Sequence, residues 1–365
     1  MEPLSRTRTN ASTDPAEPTA PDLLSLDPAG LADLFAAWGE PAYRARQVFP
    51  LLHRGLSPAE MTSLPAALRE RLLPLWHLPS IRRKLVSAID GTVKYLFALA
   101  DGNCVETVVM KYEHGNTVCV SSQVGCRMGC KFCASTIGGR VRDLLPGELL
   151  GQVIAAGKDL GVRVSNIVLM GIGEPLDNYD NVIRFLHLVN DPAGVNIGYR
   201  HISLSTCGLV DKIDRLRREN LPITLSVSLH APDNATRSAI MPVNDRWPVE
   251  ELLTACRAYF ASTGRRISFE YTLIAGKNDA PENARQLARV LNSHLRSRED
   301  TMPIHVNLIP VNEVAETGFH HSDRASVRRF AAVLEQNGIR ATVRRTLGAD
   351  INASCGQLRR SAGEG

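Results

Sequence analysis

Along the chain, the spacing of apolar positions changes period, predicting a small helical region followed by a larger α/β body. Over residues 1–22, Pro3, Pro15, Pro18 and Pro21 stand among Ser, Thr, Ala and Glu. So little apolar surface cannot offset the entropy of ordering, and a disordered tail is expected there. Over residues 23–80 the period becomes helical: Leu31, Leu34 and Phe35, then Ala45, Val48 and Phe49, then Leu64, Leu68 and Leu72 recur between Gly and Pro breaks. Residues 81–115 read as a connecting β-hairpin, with strands over 93–98 and 105–111 on either side of the turn at Asp101, Gly102 and Asn103.

Beyond residue 116, β-rich apolar runs alternate with helical ones. The runs cover 117–121, 166–170, 201–205, 223–229, 267–273 and 305–309. Strands each followed by a helical stretch imply a parallel sheet with right-handed crossovers. Six such units, rather than eight, predict an α/β fold of the incomplete (β/α)6 barrel type over 116–348, open on one side, with 349–365 as a C-terminal segment. Chemistry in such folds collects where strands end, and the unusual residues fall there. A cysteine run follows the first strand, GIGEP (171–175) the second, Ser205 and Cys207 the third, Ser228, Leu229 and His230 the fourth, and Asn312 the sixth.

Composition narrows the setting. At 365 residues and 44% hydrophobic content, the chain can bury one large core and a satellite domain. No apolar run approaches the roughly 20 residues that span a bilayer, and the first residues lack the apolar stretch of a signal peptide. No membrane association and a cytoplasmic setting are expected. The eight cysteines are too sparse for a secreted disulfide scaffold. A net charge of +4 does not decide for or against a nucleic-acid partner, so local clusters matter more. Arg44, Arg46, His53, Arg54, Arg69 and Arg71, then Arg82, Arg83 and Lys84, are candidates for a phosphate backbone, as are Arg140, Arg142, Arg359 and Arg360; a solvated helix face is the plainer reading of the first group.

The candidate chemistry begins with Cys126, Cys130 and Cys133 in GCRMGCKFCA (125–134). A structural zinc site takes four ligands in two pairs, and electron-transfer clusters take four cysteines. Three thiolates at CxxxCxxC spacing can instead hold three irons of a cubane cluster and leave the fourth open. This spacing resembles that of the radical S-adenosylmethionine (SAM) enzymes. The resemblance implies a 4Fe-4S cluster on the three cysteines, with SAM bound at the open iron, cleaved to give a 5′-deoxyadenosyl radical. In GIGEP, glycine lets the backbone approach a ligand closely, and Glu174 supplies a carboxylate beside it. The family uses such a turn to grip the SAM amino group, which makes Gly173, Glu174, Ser205, Ser228, Leu229, His230 and Asn312 the candidate SAM-binding residues.

Cys119 stands seven residues before Cys126, and Cys355 lies near the C-terminus. Isolated cysteines are most simply small buried hydrophobes, the reading given to Cys104, Cys207 and Cys256. The words around Cys119 and Cys355 are more distinctive. Through GEPAYRAR (39–46), HGNTVCVSSQVGCRMGCKFCAS (114–135), MGIGEPLDNYDN (170–181) and CGQL (355–358), the chain from about residue 40 to 358 resembles the RlmN family of dual-specificity adenine-C2 methyltransferases of ribosomal and transfer RNA.

The resemblance implies a reaction at an electron-poor aromatic carbon that an ordinary electrophilic methyl group does not reach. Cys355 takes a methyl group from one SAM, and a second SAM supplies the radical, so two are consumed per turnover. The resulting thiomethylene radical adds to adenine C2, and Cys119 resolves the protein–RNA adduct through a transient disulfide. Glu106 matches the family's proton acceptor, with Cys119 as the competing base. The implied substrates are 23S ribosomal RNA at the peptidyl transferase centre and the anticodon loop of transfer RNAs, with the adenine unstacked. A flavodoxin-like or ferredoxin-like electron donor and a monomeric enzyme are also expected. The nearest alternative is the Cfr type of enzyme, which methylates C8 of the same ribosomal adenine and confers antibiotic resistance. A metal-stabilised, non-catalytic RNA-binding protein is the more distant one. The chain departs from the family at Pro50 and Leu51, where a tryptophan-rich helix is common, and at Ser354, where Ala is common.

Overall fold

The computed structural model describes residues 21–296, 302–312, 316–353 and Leu358. Three helices come first: α1 (Pro28–Ala37), α2 (Tyr43–His53) and α3 (Ala66–Leu72). Asp27 caps α1, accepting the Gly30 N–H at 2.7 Å, and Pro28 opens the helix where its missing N–H costs nothing. Leu31 and Phe35 then share the buried face. Asp22, assigned to the tail by the sequence reading, is buried, and its carboxylate accepts the Ser25 hydroxyl at 2.8 Å. The rest of that tail, to residue 20, lies outside the described residues.

The connecting segment holds three strands rather than a two-stranded hairpin: β1 (Ser80–Val86), β2 (Val93–Ala98) and β3 (Cys104–Tyr112). They run antiparallel and pair through β3 to β4 (Gly115–Cys119). Arg82, Arg83 and Lys84 leave β1 without an apolar alternation, so the pattern did not register as a strand. A short hairpin of β5 (Gln123–Gly125) and β6 (Arg140–Asp143) frames the cysteine run.

The main body continues as α4 (Pro146–Leu160), β7 (Val164–Leu169), α5 (Tyr179–Asn190), β8 (Ile202–Thr206), α6 (Val210–Arg218), β9 (Thr224–Ser228), α7 (Asn234–Ile240), α8 (Val249–Thr263), β10 (Ile267–Leu273), α9 (Pro281–Leu295), β11 (His305–Pro310), α10 (Arg324–Gln336) and β12 (Arg340–Val343). One ten-stranded sheet runs in the order β1-β2-β3-β4-β7-β8-β9-β10-β11-β12. From β4 onward the neighbours are parallel, as the predicted barrel requires, and β12 adds a strand beyond the six expected. β10 is buried along its whole length, as a parallel strand covered on both faces must be. The chain is therefore an α/β protein built on an open parallel sheet, preceded by helices.

The helical region is fixed to the main body. His53, at the end of α2, is buried, and its Nδ1 accepts the Val195 N–H at 3.3 Å. Lys158 donates to the Gly55 carbonyl at 2.7 Å, and the Gly147 N–H to the Ser25 hydroxyl at 2.8 Å. His53 is thus a docking residue rather than a phosphate contact.

Candidate active site

A cavity of about 310 Å³ opens at the C-terminal ends of the parallel strands. Its wall includes Cys126, Cys130 and Cys133 together with Cys119, Gly173, Glu174, Ser205, Ser228, His230 and Asn312. Backbone geometry makes the cysteine run compact. Gly125 has φ +80°, and a Cβ there would stand 2.0 Å from the Gly139 carbonyl oxygen. The Cys126 N–H donates to that same oxygen at 3.1 Å, closing the run against β6. Thr136 Oγ1 donates to the carbonyls of Cys130 and Cys133, and the Lys131 N–H donates to the Ile240 carbonyl at 2.9 Å. Burial pushes the Cys126 thiol up to about 12 and the Cys130 thiol well above its ordinary value, with the neighbouring cysteines adding to both shifts. A cation bound there would displace those protons.

Glycine in the GIGEP turn lets the chain pack closely against itself. A Cβ on Gly171 would lie 2.5 Å from the Val120 carbonyl oxygen, and one on Gly173 would lie 2.7 Å from the Gln123 backbone nitrogen. Both glycines let the turn press onto the chain running from β4 to β5. That contact aims Glu174, whose carboxylate accepts the Cys207 N–H at 2.7 Å and the Leu176 N–H at 3.0 Å. Burial pushes its carboxyl up, and these hydrogen bonds oppose the shift. Gln123, which the sequence reading passed over, accepts the Glu174 N–H at 2.9 Å and donates to Asp143 and Asp177.

His230 sits at φ +57°, and its Nδ1 accepts the Thr272 N–H at 2.8 Å. Burial, then the charge of Arg237, holds the imidazole down at about 3, so the ring is neutral with its proton on Nε2. The edge of Phe132, between two of the cysteines, meets it at a centroid distance of 4.9 Å. Leu229 does not line the cavity; it is a core residue whose carbonyl accepts Arg237 Nε at 3.1 Å. Arg237 also went unnoticed in the sequence. It is fully buried and donates to the carbonyls of Cys207, Ser228 and Trp247 and to Asn244. Glu270 is a further buried carboxylate in the cavity wall, held by Ser268 at 2.9 Å and Asn307 at 2.7 Å, with Arg344 as the nearby positive charge.

The opposite wall comes from β3, β4 and the C-terminal segment. Cys119 packs with Val108 and Met110, and Leu347 and Ala353 lie against that cluster. Glu106 alternates onto the same face of β3 as Val108 and Met110. It stands beyond the cavity lining, its carboxylate 3.0 Å from the Nζ of buried Lys94. Cys355, Arg359 and Arg360 lie outside the described residues. Arg140 is paired with Asp143, and Arg142 with Asp101 and Glu148, so both are engaged within the protein.

Among the described residues, no three His, Cys, Asp or Glu side chains converge on a point the size of one ion. The three cysteines instead line a broader opening. Ser135, in the same wall, has a buried hydroxyl with no hydrogen-bond partner among the described residues. Three thiols around a cavity with an orphaned donor beside them fit a sulfur-rich cluster.

Comparison with known proteins agrees with this arrangement. Residues 120–288 match the radical SAM superfamily, and residues 21–76 match the ribosomal RNA large subunit methyltransferase N-terminal domain. The chain is 49% identical, over 93% of its length and 97% of the relative's, to a Clostridium acetobutylicum protein named "Probable dual-specificity RNA methyltransferase RlmN". A Pelotomaculum thermopropionicum protein of the same name is 52% identical over 91% of this chain and 89% of its own. The crystal structure of a radical SAM methyltransferase from Sphaerobacter thermophilus superposes with a TM-score of 0.87 at 43% identity, covering 93% of this chain and 99% of that one. A cysteine-lined cavity at the strand ends, a helical domain docked beside it, and relatives matching nearly end to end place this chain in the RlmN family of radical SAM dual-specificity RNA methyltransferases.

Proposed function

We propose that this enzyme methylates C2 of an adenine in 23S ribosomal RNA, at the peptidyl transferase centre, and of an adenine in the anticodon loop of transfer RNAs. One observation carries the reading: Cys119, the three cluster cysteines and Glu174 line a single cavity, and the chain that closes its wall at Ala353 leads two residues later to Cys355. When bound, the cluster and SAM supply a methyl group and a carbon-centred radical. Cys126, Cys130 and Cys133 would hold the cluster, leaving one iron for SAM. Glu174 would take the SAM ammonium group, while Ser205, Ser228, His230 and Asn312 offer polar groups to its other parts. Leu229, in the core behind the wall, would keep Ser228 and His230 in place.

The Cys355 thiolate takes the methyl group by displacement, so a turnover consumes two SAM molecules. After the thiomethylene carbon has bonded to adenine C2, the adduct gives up one electron, which the bound cluster would take back, and a base removes the C2 proton. The Cys119 thiolate then attacks the Cys355 sulfur, breaking its bond to carbon and forming a disulfide as the methylated base leaves with a proton. Thiols later reduce that disulfide. Two groups can take the C2 proton: Cys119, in the cavity wall, and Glu106, beyond that wall and against Lys94. The setting is a cytoplasmic monomer served by a flavodoxin-like or ferredoxin-like electron donor. Among the described residues, no helix is long and apolar enough to cross a membrane.

The test is an anaerobic assay with methyl-labelled SAM and protein-free ribosomal and transfer RNA, followed by nucleoside mass spectrometry. 2-Methyladenosine is expected; 8-methyladenosine would transfer the chain to the Cfr reaction. C119A is expected to accumulate a covalent protein–RNA adduct. Normal turnover by C119A would remove Cys119 from the resolving step. E106Q should show the same adduct if the carboxylate is the base, and should turn over if the thiolate is.

A further inference from the structure

Lys94, on β2, is fully buried, an expensive place for an ammonium group. Its Nζ stands 3.0 Å from Glu106 Oε2 and donates to the Asn352 carbonyl at 2.9 Å. A buried ion pair is weak warrant for stability by itself, so its purpose lies in what else it holds. That purpose is visible in the neighbouring bonds. Asp90 accepts the Gly348 N–H at 2.9 Å, and Asp350 accepts the Ser87 hydroxyl at 2.7 Å and the Ala88 N–H at 2.8 Å. All these contacts join the β1–β2 hairpin to residues 348–352, more than 250 positions away in sequence.

The held segment is tightly folded. Gly348 has φ +60° and Asn352 φ +46°, and a Cβ on Gly348 would fall 2.6 Å from the Ala353 side chain. The Ala353 N–H donates back to the Gly348 carbonyl at 3.0 Å, and Ala353 rests on the cluster that contains Cys119.

We propose that Lys94 is a positioning residue for methyl transfer: backed by Glu106 and flanked by Asp90 and Asp350, it clasps residues 348–353 to the hairpin and so sets where the chain departs toward Cys355. This rests on reading Cys355 as the methyl carrier. Lys94 touches neither RNA nor cofactor in this role. It fixes residues 348–353, which Cys355 follows in the sequence.

The experiment compares wild type, K94M, K94R and the double variant K94M/E106Q in the full chain. Because K94M leaves the Glu106 carboxylate buried without its ammonium, the double variant keeps the comparison valid if the single one unfolds. Amide hydrogen exchange followed by mass spectrometry is expected to quicken over 347–353 by about tenfold in the double variant, with peptides from β7 to β10 unchanged. In K94M, which keeps Glu106, turnover should fall with KM for SAM unchanged, and K94R should recover part of the protection. Unchanged exchange over 347–353 would overturn the proposal, as would faster exchange spread evenly through the barrel. Methyl-labelled SAM and peptide mapping provide the separate check. If wild-type Cys355 takes no label, the methyl-carrier reading fails, and Lys94's part in transfer fails with it, whatever the exchange data show.

Discussion

A guanidinium cut off from water must find its hydrogen-bond partners in the protein, and Arg237 finds five, all neutral oxygens. Two of them, the carbonyls of Cys207 and Ser228, belong to residues of the cavity wall. The side chain is thus a strut behind the site. R237M should destabilise the fold by roughly 2–4 kcal/mol in urea unfolding, because it orphans several buried carbonyls at once. A loss below 1 kcal/mol would mean that the carbonyls find other donors. R237K should recover little of the loss, since an ammonium offers three donors from a single point. Nothing beside Arg237 in the sequence announces this role, because its acceptors are four backbone carbonyls and one amide, brought together from three segments of the chain. The cysteine triplet is the reverse case. Its members sit within eight residues, and their spacing is itself the chemical signal. Glu174 was legible for the same reason. The glycines beside it were read as sites of close approach, and the chain of residues 120–123 lies against them.

Helix α2 shows how an element can be read correctly and its purpose missed. Its periodicity was plain, yet His53 looked like one more basic residue on an exposed face. The structure buries it against the loop that follows α5, where a Cβ on Gly194 would lie 2.3 Å from its Nδ1. Burial lowers the imidazole from 6.5 to about 4. The unfolded chain therefore binds the proton more readily, and the docking contribution is complete above pH 6.5 and lost as pH falls toward 4. Over that window the loss approaches about 3 kcal/mol. Thermal unfolding of wild type should show this acid sensitivity, and H53Q should flatten it. G194A forces backbone against a ring with little room to move, so it should cost about 1–3 kcal/mol and expose the helical region to proteolysis first. An unaltered cleavage pattern would show that the α4 contacts alone hold that region. The strands at the chain's middle were easier. Their runs were rich in apolar and β-branched residues, and pairing order followed from the rule that parallel neighbours need crossovers. β1 escaped because Arg82, Arg83 and Lys84 fill its middle and β12 because it is only four residues long, and pairing with β2 and β11 makes them strands.

At the scale of the molecule, the sheet is open at both edges among the described residues, with antiparallel β1–β3 extending it on one side and β12 on the other. β1 carries Arg82 and Arg83 exposed at its edge, beyond the helical region that exposes Arg46, Arg54 and Arg71. A polyanion crossing both surfaces would release counterions from each contact. The charge reversal R82E/R83E is expected to weaken binding of ribosomal RNA fragments and to reduce the slope of log affinity against log salt by about 2. Label transfer from SAM to Cys355 should remain intact; unchanged RNA affinity would remove β1 from the interface.

Features that depend on neighbours along the chain were legible from residue order: the cysteine spacing, the turn that carries Glu174, the alternation of strand and helix, and thereby the family. Which distant groups meet emerged only on folding. Tertiary structure spent Arg140 and Arg142 on internal pairs, turned Leu229 into core, set Glu106 against Lys94, and tied the C-terminal segment to a hairpin. The physical reason is that periodicity and spacing report on local geometry, whereas the partner of a buried charge is chosen by the fold as a whole. Lys94 and Asn352 stand 258 residues apart, and no local pattern can join them.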